Sequence, residues 1–267
     1  MKAAGLASVA LAALAALALG GMAVVLAQDR AIPLEQLRSG TAFLSDDLRA
    51  LQQDEFANPG MLWVERGSKL WSTPAGKSGQ SCASCHQDAA VSMRGVAASY
   101  PRLDVKTGEL LNIEARINQC RGERQQASPF PHESEELLSI TAYVSRQSNS
   151  SRINVVIDGV ARKPFEAGRS LYYRRLGQMN LACAQCHEAN WGKTLLTERI
   201  SQGHPIAYPA YRMEWQGMGS LERRLRACLS GVRAEMLPYG AKEYRELALY
   251  LAWRAQGLPM ETPGVRR

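Results

Sequence analysis

Four of the six cysteines in this 267-residue chain stand in two Cys-x-x-Cys-His motifs, Cys82-Ala83-Ser84-Cys85-His86 and Cys183-Ala184-Gln185-Cys186-His187. That spacing lets two thiols add across the vinyl groups of a haem while the next residue, His, lies beneath the iron. A thioredoxin-like dithiol needs no following His and expects a βαβ setting. The expectation is therefore two covalently bound haem c groups, anchored by Cys82, Cys85, Cys183 and Cys186, with His86 and His187 as proximal ligands.

The group opposite each His sets potential and reactivity. Candidates are Cys120, Cys228, Met93, Met213, Met218, Met236, His132 and His204. Met93 stands only seven residues past His86. The methionines after His187, and His204, have no counterpart at equivalent positions earlier in the chain. Only Cys120 and Cys228 do, 34 and 41 residues beyond their own histidines. A Cys120–Cys228 disulfide is the alternative in an exported chain, but it needs equivalent positions of two haem units to come within about 7 Å between Cα atoms. His/Cys ligation at both irons is the expectation, with low potentials from an anionic sulfur donor.

Cys228 has basic company: Arg223, Arg224 and Arg226 precede it and Arg233 follows. Around Cys120, Arg116, Arg121 and Arg124 stand among Glu114 and Glu123. Arg224, four residues before Cys228, falls one helical turn away on the same face. A guanidinium there lowers a thiolate pKa and can grip an oxyanion through two parallel hydrogen bonds. The alternative is a solvated basic helix face.

The elements that must position these groups repeat. Gly67 and the first motif recur as Gly168 and the second at an offset of 101; Tyr100-Pro101 recurs as Tyr208-Pro209, and Ile113 to Cys120 as Leu221 to Cys228, at an offset of 108. A terminal helix, Glu136 to Tyr143, pairs with Glu246 to Trp253 at an offset of 110. The second copy thus has about seven extra residues between its haem motif and its Tyr-Pro. Gln147 to Ser151 is a polar break of linker type, and residues 153 to 159 read as a short strand ending in a turn. Helical spacing dominates elsewhere, as in Phe165 to Leu176 and at Leu247, Tyr250, Leu251 and Trp253. The fold class is mainly α: two tandem cytochrome c-like domains related by duplication, residues 28–150 and 151–267, with long loops and a short strand near the boundary.

Residues 1–27, with one early charge at Lys2, a run of Ala, Leu and Val, and the small-residue end Val25-Leu26-Ala27, read as a cleavable signal peptide, which implies a periplasmic location and no permanent membrane anchor. The formal charge of +7 is uneven, with 13 Lys/Arg against 15 Asp/Glu in residues 28–150 and 18 against 10 in residues 151–267. A positive second half suits an anionic substrate or an acidic protein; export argues against nucleic acid.

The chain resembles the SoxA family, the dihaem subunits of the SoxAX cytochrome complex of bacterial thiosulfate oxidation. The likeness covers nearly all of the sequence after residue 27 and is carried by Leu51 to Val64, by Ile117-Asn118-Gln119-Cys120-Arg121, by Ala182 to His187, by Leu221 to Arg226 leading into Cys228, and by Tyr250 to Arg254. Some family members lack the first haem; this chain keeps the motif and Cys120. The resemblance implies an L-cysteine S-thiosulfotransferase that joins thiosulfate oxidatively to a cysteine of the carrier SoxYZ and passes two electrons on, with the monohaem SoxX as heterodimer partner. Cys228 then matches the active cysteine, often a persulfide, Arg224 the substrate-binding arginine, and Arg254, more weakly, a residue at the entrance. A thiosulfate dehydrogenase forming tetrathionate, a plain dihaem electron carrier and a dihaem peroxidase are the rival readings.

Overall fold

The computed structural model describes residues 30–267, so the expected signal peptide lies outside the described residues. It divides into units 1–37 and 38–267. Of the first, residues 30–37 are described, with a 3₁₀ turn at Leu34–Gln36. Among the described residues no helix is long and apolar enough to cross a membrane.

The second unit is mainly helical. In chain order its α-helices are α1 Asp46–Gln53, α2 Met61–Ser72, α3 Cys82–His86, α4 Ala89–Ser92, α5 Ile113–Cys120, α6 Glu135–Arg146, α7 Arg162–Tyr173, α8 Cys183–His187, α9 Leu221–Gly231 and α10 Lys242–Arg254. The strands are short: β1 Arg102–Leu103 pairs antiparallel with β2 Leu110–Leu111, β3 Thr194–Leu195 with β4 Glu198–Arg199, and β5 Ala210–Arg212 lies between antiparallel β6 Gly217–Gly219 and parallel β7 Gly264–Arg266.

Each repeat is framed by two crossing helices, α2 on α6 and α7 on α10. The crossings are tight because each places a glycine at the contact: a Cβ on Gly67 would stand 2.1 Å from the Ser139 carbonyl oxygen, and one on Gly168 2.0 Å from that of Glu246. Ser139 and Glu246 are 107 positions apart, which corrects the offset of 110 expected for the terminal helices. Trp71 against Tyr143 and Tyr172 against Tyr250 repeat the same register.

The step from the offset of 108, which holds as far as Cys120 and Cys228, to 107 is made just after Cys120. Residues Arg121–Gln125 form a π-helical turn, which holds one residue more per turn than an α-helix and so absorbs a single surplus residue. Six positions separate Cys120 from the left-handed Gln126, but only five separate Cys228 from its counterpart Arg233. Both then do the same work: Lys77 N donates to the Gln126 carbonyl at 3.3 Å, and Gln178 N to that of Arg233 at 3.2 Å.

Residues 153 to 159 form no strand. Ile153 N donates to Leu258 O at 2.9 Å while Asn154 N donates to Ala98 O at 2.9 Å. Successive amides are thus captured by different segments, and no ladder can build. Ile153 and Val155 instead enter the main core, which runs from Trp71 and Ile140 of the first repeat to Phe165, Leu249 and Met260 of the second. The polar stretch before them is stitched in as well: Ser148 is fully buried and accepts from Ala97 N. Helices at Phe165 and at Leu247 to Trp253 form as the spacing predicts.

Candidate haem and thiol sites

The two motif helices begin alike. At α3, Ser81 Oγ accepts from Ser84 N at 3.1 Å and Ser84 Oγ from Ser81 N at 3.0 Å; at α8, Ala182 N donates to Gln185 Oε1 at 2.8 Å. Such caps occupy backbone donors that a short helix leaves open. In each repeat the third cysteine lies near enough to act on the first motif thiol: the Cys82 thiol is pushed up by burial and then by Cys120, and the Cys183 thiol up to about 11 by burial and then by Cys228. All six cysteines are free, so neither Cys120 nor Cys228 is committed to a disulfide.

This donor set fits a covalently held haem in each repeat. Two anchoring thiols, a His and a third sulfur gather without pairing, and at His187 one ring nitrogen is already spoken for. Nδ1 donates to the Ser201 carbonyl at 2.7 Å, leaving Nε2 for metal, and burial pushes the imidazole pKa down to about 4, which keeps it the neutral ligand that iron needs.

The alternative ligands are placed elsewhere. Met218 is 2% exposed in a side core with Val64, Leu138 and Ala142. His204 donates through Nε2 to Gln202 Oε1, and His132 stacks on Tyr239. Met213 and Met236 face solvent, and Met93 packs against the main core.

On α9 the Ser220 hydroxyl accepts from Arg223 N at 3.1 Å and starts the helix, which sets Arg224 and Cys228 one turn apart. Arg224 is half-buried. Burial works against its charge, but Cys228, Tyr208 and Glu214 raise its pKa above the usual arginine value. Among the described residues no hydrogen bond or ion pair to a carboxylate falls on its guanidinium. Glu214 is held instead by Arg212, whose Nε stands 2.8 Å from Oε1.

Arg254 sits deeper than an entrance residue. It is 6% exposed, donates through Nη1 to Gln202 O at 2.8 Å, pairs through Nε with Glu188 at 3.3 Å and lies over the Tyr172 ring at 4.5 Å. Glu188 in turn accepts from the Tyr173 hydroxyl at 3.1 Å. This network braces the residue that follows His187. Residue types alone did not reveal Ser201, Gly203 or Glu188; the seven-residue length difference in this loop was the available signal.

A second, carboxylate-lined cleft lies between the starts of α5 and α9, formed by Asn112, Glu114, His132, Glu133, Ser220 and Glu222. Glu114 and Glu222 occupy equivalent positions of the two helices. The Glu114 carboxyl is pushed up to about 7, first by burial and then by Glu222 and Glu133.

The family model for the SoxA/TsdA cytochrome c domain matches residues 66–153 and 167–260. The chain is 42% identical over 236 residues to the L-cysteine S-thiosulfotransferase subunit SoxA of Pseudaminobacter salicylatoxidans, covering 88% of this chain and 82% of that one. Against its namesake from Paracoccus pantotrophus the identity is 38% over 232 residues, covering 87% and 80%. The crystal structure of SoxXA from P. pantotrophus superposes with a TM-score of 0.83 at 38% identity, covering 86% of this chain and 87% of that chain.

Proposed function

The chain belongs to the SoxA/TsdA cytochrome c family, and from that premise we propose that it is an L-cysteine S-thiosulfotransferase subunit carrying two haem c groups, with its chemistry at Cys228. The observation that carries this reading is a thiol and an arginine free of carboxylate partners, set one helical turn apart on α9. Cys82 and Cys85 in the first repeat, and Cys183 and Cys186 in the second, would hold the haems covalently, and His86 with Cys120, and His187 with Cys228, would supply the remaining donors. Bound haem supplies an acceptor for electrons one at a time.

The protein's own residues do the rest. Arg224 binds the dianionic thiosulfate through paired N–H donors and orients its sulfane sulfur toward Cys228. In the net reaction a sulfur–sulfur bond forms between thiosulfate and a cysteine of the carrier SoxYZ, one thiol proton is released, and two electrons leave toward the SoxX haem. A thiolate acts as nucleophile only when it is released from its partner atom or carries an extra sulfur, so Cys228 must be labile where Cys120 need not be. Arg254, bound to Glu188 and Gln202, acts by positioning the His187 side of the site. The periplasm, reached by cleavage near residue 27, is the location in which substrate and partners are met.

The test is mass mapping of the Cys228 peptide from the haem-loaded protein before and after cyanide. An extra labile sulfur on Cys228 and none on Cys120 is the expected result. Turnover that survives Cys228→Ala would instead favour a plain electron carrier.

A further inference from the structure

The registers of β1–β2 and β5–β6 align the two repeats residue by residue: Arg102 faces Leu111 as Ala210 faces Gly219, each at an offset of 108. Gly108 and Gln216 both take positive φ in the intervening turns, and Asn112 and Ser220 both cap the cysteine helices. At this offset Arg116 is the counterpart of Arg224, each four residues before its cysteine. The two arginines differ in what surrounds them.

Arg116 is taken. Its Nη1 stands 3.0 Å from Asp104 Oδ2 and donates to Gln119 Oε1 at 2.7 Å, while Gln119 Nε2 donates to the same Asp104 oxygen at 3.0 Å, closing a three-residue ring. The Asp104 side chain is 4% exposed. At the equivalent positions of the second repeat, Asp104 becomes Arg212 and Gln119 becomes Ala227. The carboxylate is thus replaced by a cation and the amide by a methyl group. Arg212 is itself drawn aside by Glu214 at 2.8 Å and by the Trp215 ring at 5.0 Å, so Arg224 is left with Cys228 and Tyr208 as its first neighbours in charge and with a Glu214 carboxylate that is committed to Arg212.

We propose that Asp104 is a resident anion that fills, beside Cys120, the place the second repeat keeps open for its anionic substrate, and that the first repeat therefore contains a latent anion-binding site closed by one side chain. This rests on the reading of Arg224 as the substrate anchor. It gives the first thiol's lack of a substrate role a cause within the fold: the arginine is present, but its charge is spent internally. A dianion approaching Arg116 must displace a buried carboxylate that also meets the Gln119 amide. One approaching Arg224 meets no such competitor.

Asp104→Asn separates this role from folding. Oδ1 holds the turn by accepting from Lys106 N at 2.7 Å and Thr107 N at 3.2 Å, whereas Oδ2 serves Arg116 and Gln119. Asparagine keeps the turn acceptor and removes the charge. The experiment alkylates the haem-loaded full chain with anionic iodoacetate and, separately, with neutral iodoacetamide. In either case the thiolate displaces iodide, and the Cys120 and Cys228 peptides are quantified by mass. The ratio of the two reagents at one sulfur cancels that sulfur's own lability.

In the wild type, Cys228 should prefer the anion and Cys120 should not. In Asp104→Asn the ratio at Cys120 should rise about tenfold, the order expected when a charged hydrogen-bonding partner becomes available, and adding Arg116→Ala should erase the gain. An unchanged Cys120 ratio in Asp104→Asn, with Cys228 still preferring the anion, overturns the latent site and leaves the Arg224 assignment standing. No anion preference at Cys228 in the wild type overturns both.

Discussion

His86 and His187 end the same five-residue motif helix yet live in different surroundings. His86 is exposed and leans on the Trp71 ring, with centroids 5.7 Å apart. His187 is enclosed by the loop that the second repeat lengthens: the Ser201 carbonyl accepts a hydrogen bond from its Nδ1, and Gly203, at φ +73°, lies so close that a Cβ there would be 2.9 Å from the ring. A carbonyl acceptor on the far nitrogen makes an imidazole a stronger donor and fixes its plane. Two copies of one motif have thus been given histidines of different reach and basicity, without a change in residue. Divergence after duplication has worked through the neighbours of the chemical groups.

The largest effect that could break this contrast is at the thiols. We expect Cys228→Ala to lower thiosulfotransfer by about a thousandfold or more, as loss of a nucleophile does, while Cys120→Met shifts the potential of its own haem and leaves turnover within a few-fold; a redox titration and a coupled assay on both variants check this. Next come the arginines. Arg224→Ala should cost about a hundredfold in kcat/KM, the order for losing a charged anchor in a half-buried site, and Arg116→Ala less than about twofold, measured side by side.

A smaller effect is expected on the proximal side. Gly203→Ala forces a side chain into a left-handed residue against His187 and should destabilise the chain by about 1–3 kcal/mol. It should also alter the second haem's visible spectrum without touching the first. Gly79→Ala, also at positive φ but facing open space, is the control.

The smallest effect concerns Glu114, whose pKa in the folded chain stands above its ordinary 4.5 at about 7. A raised carboxyl favours the folded state fully below its unfolded pKa, and that contribution is lost as pH climbs through the folded value. Glu114→Gln should therefore stabilise the chain by about 1 kcal/mol at pH 8, a figure discounted for partial exposure, and leave it unchanged or weaker at pH 4. Denaturant melts at the two pH values check the sign.

The cytochrome c family was legible in the sequence because covalent haem attachment demands fixed spacing, and the repeat singles out Cys120 and Cys228 among the eight candidate ligands as the pair to test. Legible too were α7, which buries the one face of Phe165, Gly168 and Tyr172, and α10, whose apolar run from Leu247 to Ala252 is buried all round. Three things were not. The π turn after Cys120 shifts the terminal helices by one residue, and a lone insertion leaves no compositional trace. The stretch at Ile153 looks like a strand by its side chains, but the partners of its amides are decided elsewhere in the chain. Arg254, expected at the entrance, is instead buried over the Tyr172 ring and against the Glu188 carboxylate, contacts that its own residue type does not announce.

The core that runs unbroken from Trp71 to Met260 has a consequence for inheritance. Ile140, Val144 and Ala97 of the first repeat form part of the wall against which the second repeat is built. The first repeat is masonry for the second, and its helices cannot be discarded without opening that wall.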